Sequence, residues 1–222
     1  MTTKIYGGYQ SWTRDVRARW LLDEVGASYE LVQLDVFAGD QREPEYLAVH
    51  PLGKVPFLTD DASGVAMFES GAILAWLAET RAPELVPPAG TPERAEYLQW
   101  LFYSAATLET PIVKVFANRY LFPDAPGAAE RAVEGANELA VHARLLSERL
   151  KGRQFLVADR FTAADIMIAT ALVWAEKGGA LVGYPVLRAY LQRLTARPAA
   201  HKALAPTAKE FDGYAPAGGR ST

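Results

Sequence analysis

The strongest constraint on this chain is a break in its pattern. Residues 81–92, "RAPELVPPAGTP", carry prolines at 83, 87, 88 and 92. Proline lacks a backbone N–H and restricts the residue before it, so such a stretch extends neither a helix nor a sheet. It reads as a linker. Before it, strand and helix patterns alternate. After it, every periodic segment is helical. The expectation is therefore a small α/β domain over residues 1–82, a linker at 83–92 and an all-helical domain over 93–222.

In the first part, "TKIY" (3–6) reads as a strand that ends at Gly7-Gly8. A helix follows over about residues 14–25, with Val16, Trp20, Leu21 and Val25 at helical spacing and Gly26 as its stop. "SYELVQLDV" (28–36) alternates like a second strand, completing a βαβ unit. Residues 37–51 read as loop with a short irregular helix. "KVPFLTDDASGVAMFE" (54–69) reads as two strands around a turn, and a helix over 70–80 closes the half. Beyond the linker, helical patterns run over 93–121 with a bend at Pro111, over 127–151, and from near Thr162, Pro185 and Ala199. The tail "APAGGRST" reads as flexible.

Composition removes several classes of function. The 222 residues carry a formal net charge of −3, which offers no basic footprint for nucleic acid or an anionic membrane. No apolar run approaches the ~20 residues of a membrane span, and the N-terminus lacks the apolar stretch of a signal peptide, so a cytoplasmic location is expected. With no cysteine, the chain has no disulfide, thiolate nucleophile or Cys-ligated metal. Three scattered histidines, His50, His142 and His201, make no metal site and no Ser–His hydrolase.

Two stretches carry chemistry. In "PLGKVPFL" (51–58), a proline opens a strand after Val55. Taken alone it reads as a trans proline at a strand edge. The alternative is a cis bond, whose sharp turn would expose the Val55 N–H and C=O to an extended peptide. In "FESGAILAWLAE" (68–79), Glu69 and Ser70 stand at a helix start. Taken alone, Ser70 caps that helix. The alternative is that the unpaired N–H groups, the positive helix end and the Ser70 hydroxyl receive a carboxylate while Glu69 faces an ammonium. Joined, the two alternatives describe a site for a γ-glutamyl peptide.

At these residues the chain resembles the cytosolic glutathione transferases. "IYGGYQSWTRDVRARWLLDEVG", "YLAVHPLGKVPFL", "FESGAILAWLAE" and "FLVADRFTAADIMIA" stand in the family's order across residues 4–168. The resemblance implies a thioredoxin-like first domain, an all-helical second domain and a homodimer. It implies glutathione as co-substrate, with Val55 pairing its cysteinyl backbone after a cis Pro56, and Glu69 and Ser70 on its γ-glutamyl end. It also implies a hydroxyl in the loop after the first strand that stabilises the glutathione thiolate. A free thiol has a pKa near 8.5, and lowering it by about two units takes about 2.7 kcal/mol. Ser11 is the choice, since it resembles the serine of the theta- and zeta-type branches. Thr13 is equally placed if the helix starts two residues later, and Tyr9 is third. The bland reading is that Ser11 or Thr13 only caps the helix. Arg14 is either a charge near the sulfur or a solvated surface residue.

For the glycyl carboxylate the candidates are Lys54, Arg42, Gln41 and His50, with Lys54 favoured because it adjoins Val55. A second, apolar substrate is expected against Trp12, Phe102 and Tyr103, with no metal required. Thr162-x-x-Asp165 in "FTAADI" reads as a structural capping box with Phe161 as its staple. The resulting expectation is transfer of the glutathione thiolate to an apolar electrophile. The rivals are a glutathione-binding scaffold without turnover and an isomerase of the maleylacetoacetate type. "SWTRDVR" lacks the paired serines and the cysteine of the zeta-type loop, which places the isomerase third.

Overall fold

The computed structural model describes residues 2–205, and the C-terminal tail read as flexible lies outside them. The described chain divides into two units, residues 2–84 with 197–205, and residues 85–196.

The first unit is built on four strands: β1 (Thr3–Gly8), β2 (Glu30–Leu34), β3 (Phe57–Asp60) and β4 (Val65–Phe68). Their order is β2-β1-β3-β4, with β1 parallel to β2 and antiparallel to β3, and β3 antiparallel to β4. The β1 strand runs past the "TKIY" pattern because Gly7 and Gly8 still pair with Gln33 and Leu34. Helices α1 (Val16–Glu24) and α3 (Ser70–Arg81) supply the apolar layer, where Trp20, Leu21, Ile73, Leu74 and Leu77 are fully buried along with Ile5 and Leu58 of the sheet. Burying one such side chain contributes about 1.5–3 kcal/mol, so this layer is what the unit folds around. Between β2 and β3 stand a 3₁₀ turn (Asp40–Arg42) and the short α2 (Pro44–Val49).

The first unit is tied down at the start of β1 and along α1. At the end away from the helix starts, Asp60 accepts from Thr3 Oγ1 at 2.6 Å, Ser63 Oγ at 2.7 Å and Arg81 Nη2 at 2.7 Å. These donors hold its carboxyl at about 2, below the ordinary carboxylate value. Helix α9 (Pro198–Ala203) packs on α1 through ion pairs of Arg197 with Glu24 and Lys202 with Asp23. The pattern of the sequence groups these residues with the helical half. Charge complementarity to the end of α1 returns them to the first unit.

The second unit is helical: α4 (Pro92–Tyr103), α5 (Glu109–Phe116), α6 (Ala128–Leu150), α7 (Ala163–Lys177) and α8 (Pro185–Thr195). The long pattern at 93–121 is interrupted not at Pro111, which lies inside α5, but at π-helical turns over Ser104–Leu108 and Ala117–Leu121. The first ends with Glu109 N–H donating to Ser104 O, two residues ahead of the proline that has no N–H to give. Helix α7 is buried on nearly every side, which its apolar "ADIMIATALVW" requires. It opens on a capping box of Thr162 and Asp165. The fully buried Asp165 also accepts from Leu156 N at 3.0 Å and Tyr190 OH at 2.8 Å.

Candidate functional site

Three segments of the first unit converge on the carboxyl end of β1 and the start of α3. The first is the loop over residues 9–15. Helix α1 begins at Val16, two residues later than its apolar spacing predicts, because the loop is folded on itself. Thr13 N–H and Thr13 Oγ1 both donate to Gln10 O, at 3.2 and 2.8 Å, and Val16 N–H donates to Thr13 O at 3.2 Å. Ser11 and Thr13 are buried, Tyr9 is half-buried and Arg14 is exposed. The Trp12 ring meets Phe37 edge-on at 5.9 Å. The Thr13 hydroxyl thus donates within the loop, and the later helix start leaves both Ser11 and Thr13 just ahead of α1.

The second segment precedes β3. The Val55–Pro56 peptide is cis, the alternative the resemblance implies rather than the one the stretch implies alone. Tyr46 OH donates to Lys54 O at 2.5 Å, and Gly53 N–H donates to His50 O at 2.9 Å. Gly53 has φ of 55°, and a Cβ there would stand 2.9 Å from Gln41 O, so only glycine fits this approach. The Val55 N–H and C=O make no hydrogen bond among the described residues. Lys54 is exposed beside them.

The third segment is the start of α3. Glu69 takes φ of 73°, unusual for a residue with a side chain, and makes no side-chain capping bond. Ser70 does not simply cap the helix. Its Oγ accepts from Nη1 of the fully buried Arg17 at 2.8 Å. A hydroxyl that accepts from a guanidinium keeps its own proton to donate. The corner thus combines a helix N-terminus, a hydroxyl donor and a buried cation, all suited to a carboxylate. His50 stacks on Phe68 at 4.9 Å, and its Nδ1 is buried without a partner. Burial lowers its pKa, Glu69 opposes that shift, and Lys54 adds to it.

Of the remaining expected residues, Arg42 is exposed on the 3₁₀ turn, and Gln41 donates Nε2 to Val36 O at 3.0 Å. Phe102 and Tyr103 belong to the second unit. Phe102 is 70% exposed, and Tyr103 OH lies 2.8 Å from His142 Nδ1. Burial pushes the Tyr103 phenol up to about 12. Sequence reasoning missed Arg17, Asp15 and Arg19. One signal was available: Arg17 and Arg19 stand about 200° apart around a helix, so one solvent-facing stripe cannot hold both.

A thioredoxin-like sheet with a cis-proline corner, joined in one chain to a helical domain, defines the architecture. The family model "Glutathione S-transferase, N-terminal domain" matches residues 1–79, and "Glutathione S-transferase, C-terminal domain" matches residues 108–198. The chain belongs to the glutathione S-transferase family. It is 33% identical over 191 residues to glutathione S-transferase 4 of Zea mays, covering 84% of this chain and 85% of that protein. It is 30% identical over 190 residues to the disulfide-bond oxidoreductase YfcG of Escherichia coli, covering 82% and 86%. A crystal structure of a Pseudomonas putida glutathione transferase, with one glutathione disulfide bound per subunit, superposes with a TM-score of 0.81 at 25% identity, covering 91% of this chain and 90% of that one. Among the described residues, no helix is long and apolar enough to cross a membrane and no acidic or histidine cluster could hold a metal ion.

Proposed function

We propose that the chain is a glutathione transferase whose first unit binds glutathione and delivers its thiolate to an apolar electrophile. The observation that carries this reading is the unpaired Val55 backbone beside the Ser70–Arg17 corner. Val55 N–H and C=O pair the cysteinyl residue as one more strand would. Ser70, the first N–H groups of α3 and the Arg17 charge take the γ-glutamyl carboxylate, and Glu69 takes its ammonium. Lys54 and Arg42, both exposed, face the glycyl carboxylate. Ser11 donates to the sulfur and favours the thiolate. That thiolate attacks the electrophilic carbon, a new S–C bond forms and the leaving group departs with its electron pair. Trp12 offers an apolar contact beside the sulfur.

The test is conjugation of glutathione to chlorodinitrobenzene by the wild type and S11A. If Ser11 supplies the two units of thiol acidification, S11A loses about 25-fold in kcat/KM near pH 7. Glutathione should still bind it with little change. Tight binding without turnover on a panel of electrophiles would favour a scaffold instead.

A second reading has its own support. The E. coli relative is a disulfide-bond oxidoreductase, and the P. putida neighbour holds glutathione disulfide. This sequence has no cysteine, so glutathione itself would carry that chemistry. Its thiolate would attack one sulfur of a disulfide and release the other as a thiolate. A second glutathione thiolate would then attack the mixed disulfide, giving glutathione disulfide and a second thiolate. Reduction of a small disulfide by glutathione, with and without the protein, separates this reading from conjugation.

A further inference from the structure

We propose that Asp15 and Arg19 are positioning residues, a buried charge pair that clamps the loop of residues 9–13 onto the end of β1 and so fixes where its hydroxyl meets the glutathione sulfur. This rests on the glutathione reading above. Asp15 is fully buried, and Arg19 is 7% exposed. Asp15 Oδ1 accepts from Gly8 N–H, the last residue of β1, at 3.2 Å. Asp15 Oδ2 stands 2.9 Å from Arg19 Nε one helical turn on, close enough for a strong ion pair although off the hydrogen-bonding direction. The Thr13 hydroxyl adjoins the same carboxyl while donating to Gln10 O. Strand end, loop and helix start thus meet on one side chain.

Sterics close the clamp. A Cβ on Gly7 would stand 2.4 Å from Asp15 Cγ, and one on Gly8 would stand 2.6 Å from Thr13 Cγ2. The "GG" that ends β1 is therefore the space into which the carboxyl and the loop fit. Both charges could be dispensed with if the site served folding alone, since well-packed apolar side chains in place of a buried ion pair are often as stable or more so. What an apolar pair cannot supply is a fixed acceptor for Gly8 N–H. Arg19 has the complementary task. Burial drives the Asp15 pKa up, and the guanidinium is the first of the influences that oppose it. It also cancels a negative charge that would otherwise disfavour a thiolate nearby.

The experiment compares wild type, D15N, D15A and G8A by three readouts: glutathione affinity by calorimetry, the pH midpoint of thiolate absorbance for bound glutathione, and kcat for conjugation. D15N keeps an oxygen acceptor for Gly8 N–H and leaves the Arg19 charge uncompensated, so its midpoint should lie at or below the wild-type value. D15A should raise the midpoint by about one unit and so lower kcat about threefold near neutrality, with glutathione affinity changed less than about threefold. If D15A does not fold, G8A decides the matter. The Gly8 φ is not among the positive values, so alanine is allowed there, yet its methyl displaces Thr13 and should raise the midpoint alike. A wild-type midpoint in folded D15A or G8A overturns the clamp, as does a D15N loss equal to that of D15A. Wild type that neither binds glutathione nor forms its thiolate would sink the underlying reading instead.

Discussion

Asp15 and Asp165 are both fully buried carboxylates at helix starts, one in each unit, and they are satisfied in different ways. Asp165 takes bonds from Leu156 N, Thr162 N, Thr162 Oγ1 and Tyr190 OH, between 2.8 and 3.1 Å. Its donors are neutral, fixed and local to the packing of α7. Asp15 takes the Gly8 N–H, adjoins the Thr13 hydroxyl and balances its charge with an arginine. The first arrangement serves the packing of α7, and the second is the one proposed above to hold the loop of residues 9–13.

The largest expected effect breaks the Asp165 side of that comparison. D165A strands four buried donors and should cost about 3 kcal/mol or more, read as a lower urea midpoint. Its folded fraction should bind glutathione as the wild type does.

Asp60 sharpens the contrast, because it is as saturated as Asp165 but lies within the unit that holds the site. Its folded pKa is about 2, against an ordinary 3.8. A depressed carboxylate pKa stabilises the fold above the unfolded value, and that stability is lost as pH falls from about 4 through about 2. The contribution is about 2 kcal/mol near neutrality. D60N should flatten the acid limb of the stability curve and leave glutathione affinity unchanged.

S70A tests the site side. Loss of a hydrogen bond to a charged group costs about 1.5–3 kcal/mol, so glutathione affinity should fall about tenfold to a hundredfold by calorimetry. The urea midpoint should move far less than in D165A. Equal damage to stability would make Ser70 a structural residue like Asp165.

The smallest effect concerns His50. Burial favours its neutral form in the fold. Stability is therefore full above the unfolded value near 6.5 and declines as pH falls below it toward the lower folded pKa. H50Q should remove that slope in thermal unfolding between about pH 7 and 5.

What the sequence disclosed was what is local. Alternating strands, the proline break, the helix start at Ser70 and the Thr162–Asp165 box are each written within a few residues. The cis bond was not, since "KVP" alone favours trans and only the wider resemblance argued otherwise. The start of α1 was shifted because Thr13 turns back to Gln10, a loop contact that apolar spacing does not encode. The pairing of Arg17 with Ser70 joins residues 53 apart, and that of Arg197 with Glu24 joins residues 173 apart. Side chains that meet through the tertiary fold leave only an indirect trace, here two arginines placed where a helix has no common solvent face.

The claim on which the rest stands is that the Val55 edge and the Ser70 corner grip glutathione and bring its sulfur to the Ser11 hydroxyl. The most direct measurement is a pH titration of thiolate absorbance for glutathione bound to wild type and to S11A. The account predicts a bound midpoint about two units below the free thiol value near 8.5, restored toward that value in S11A. Bound glutathione that titrates like the free thiol, or an S11A midpoint equal to that of wild type, would contradict it.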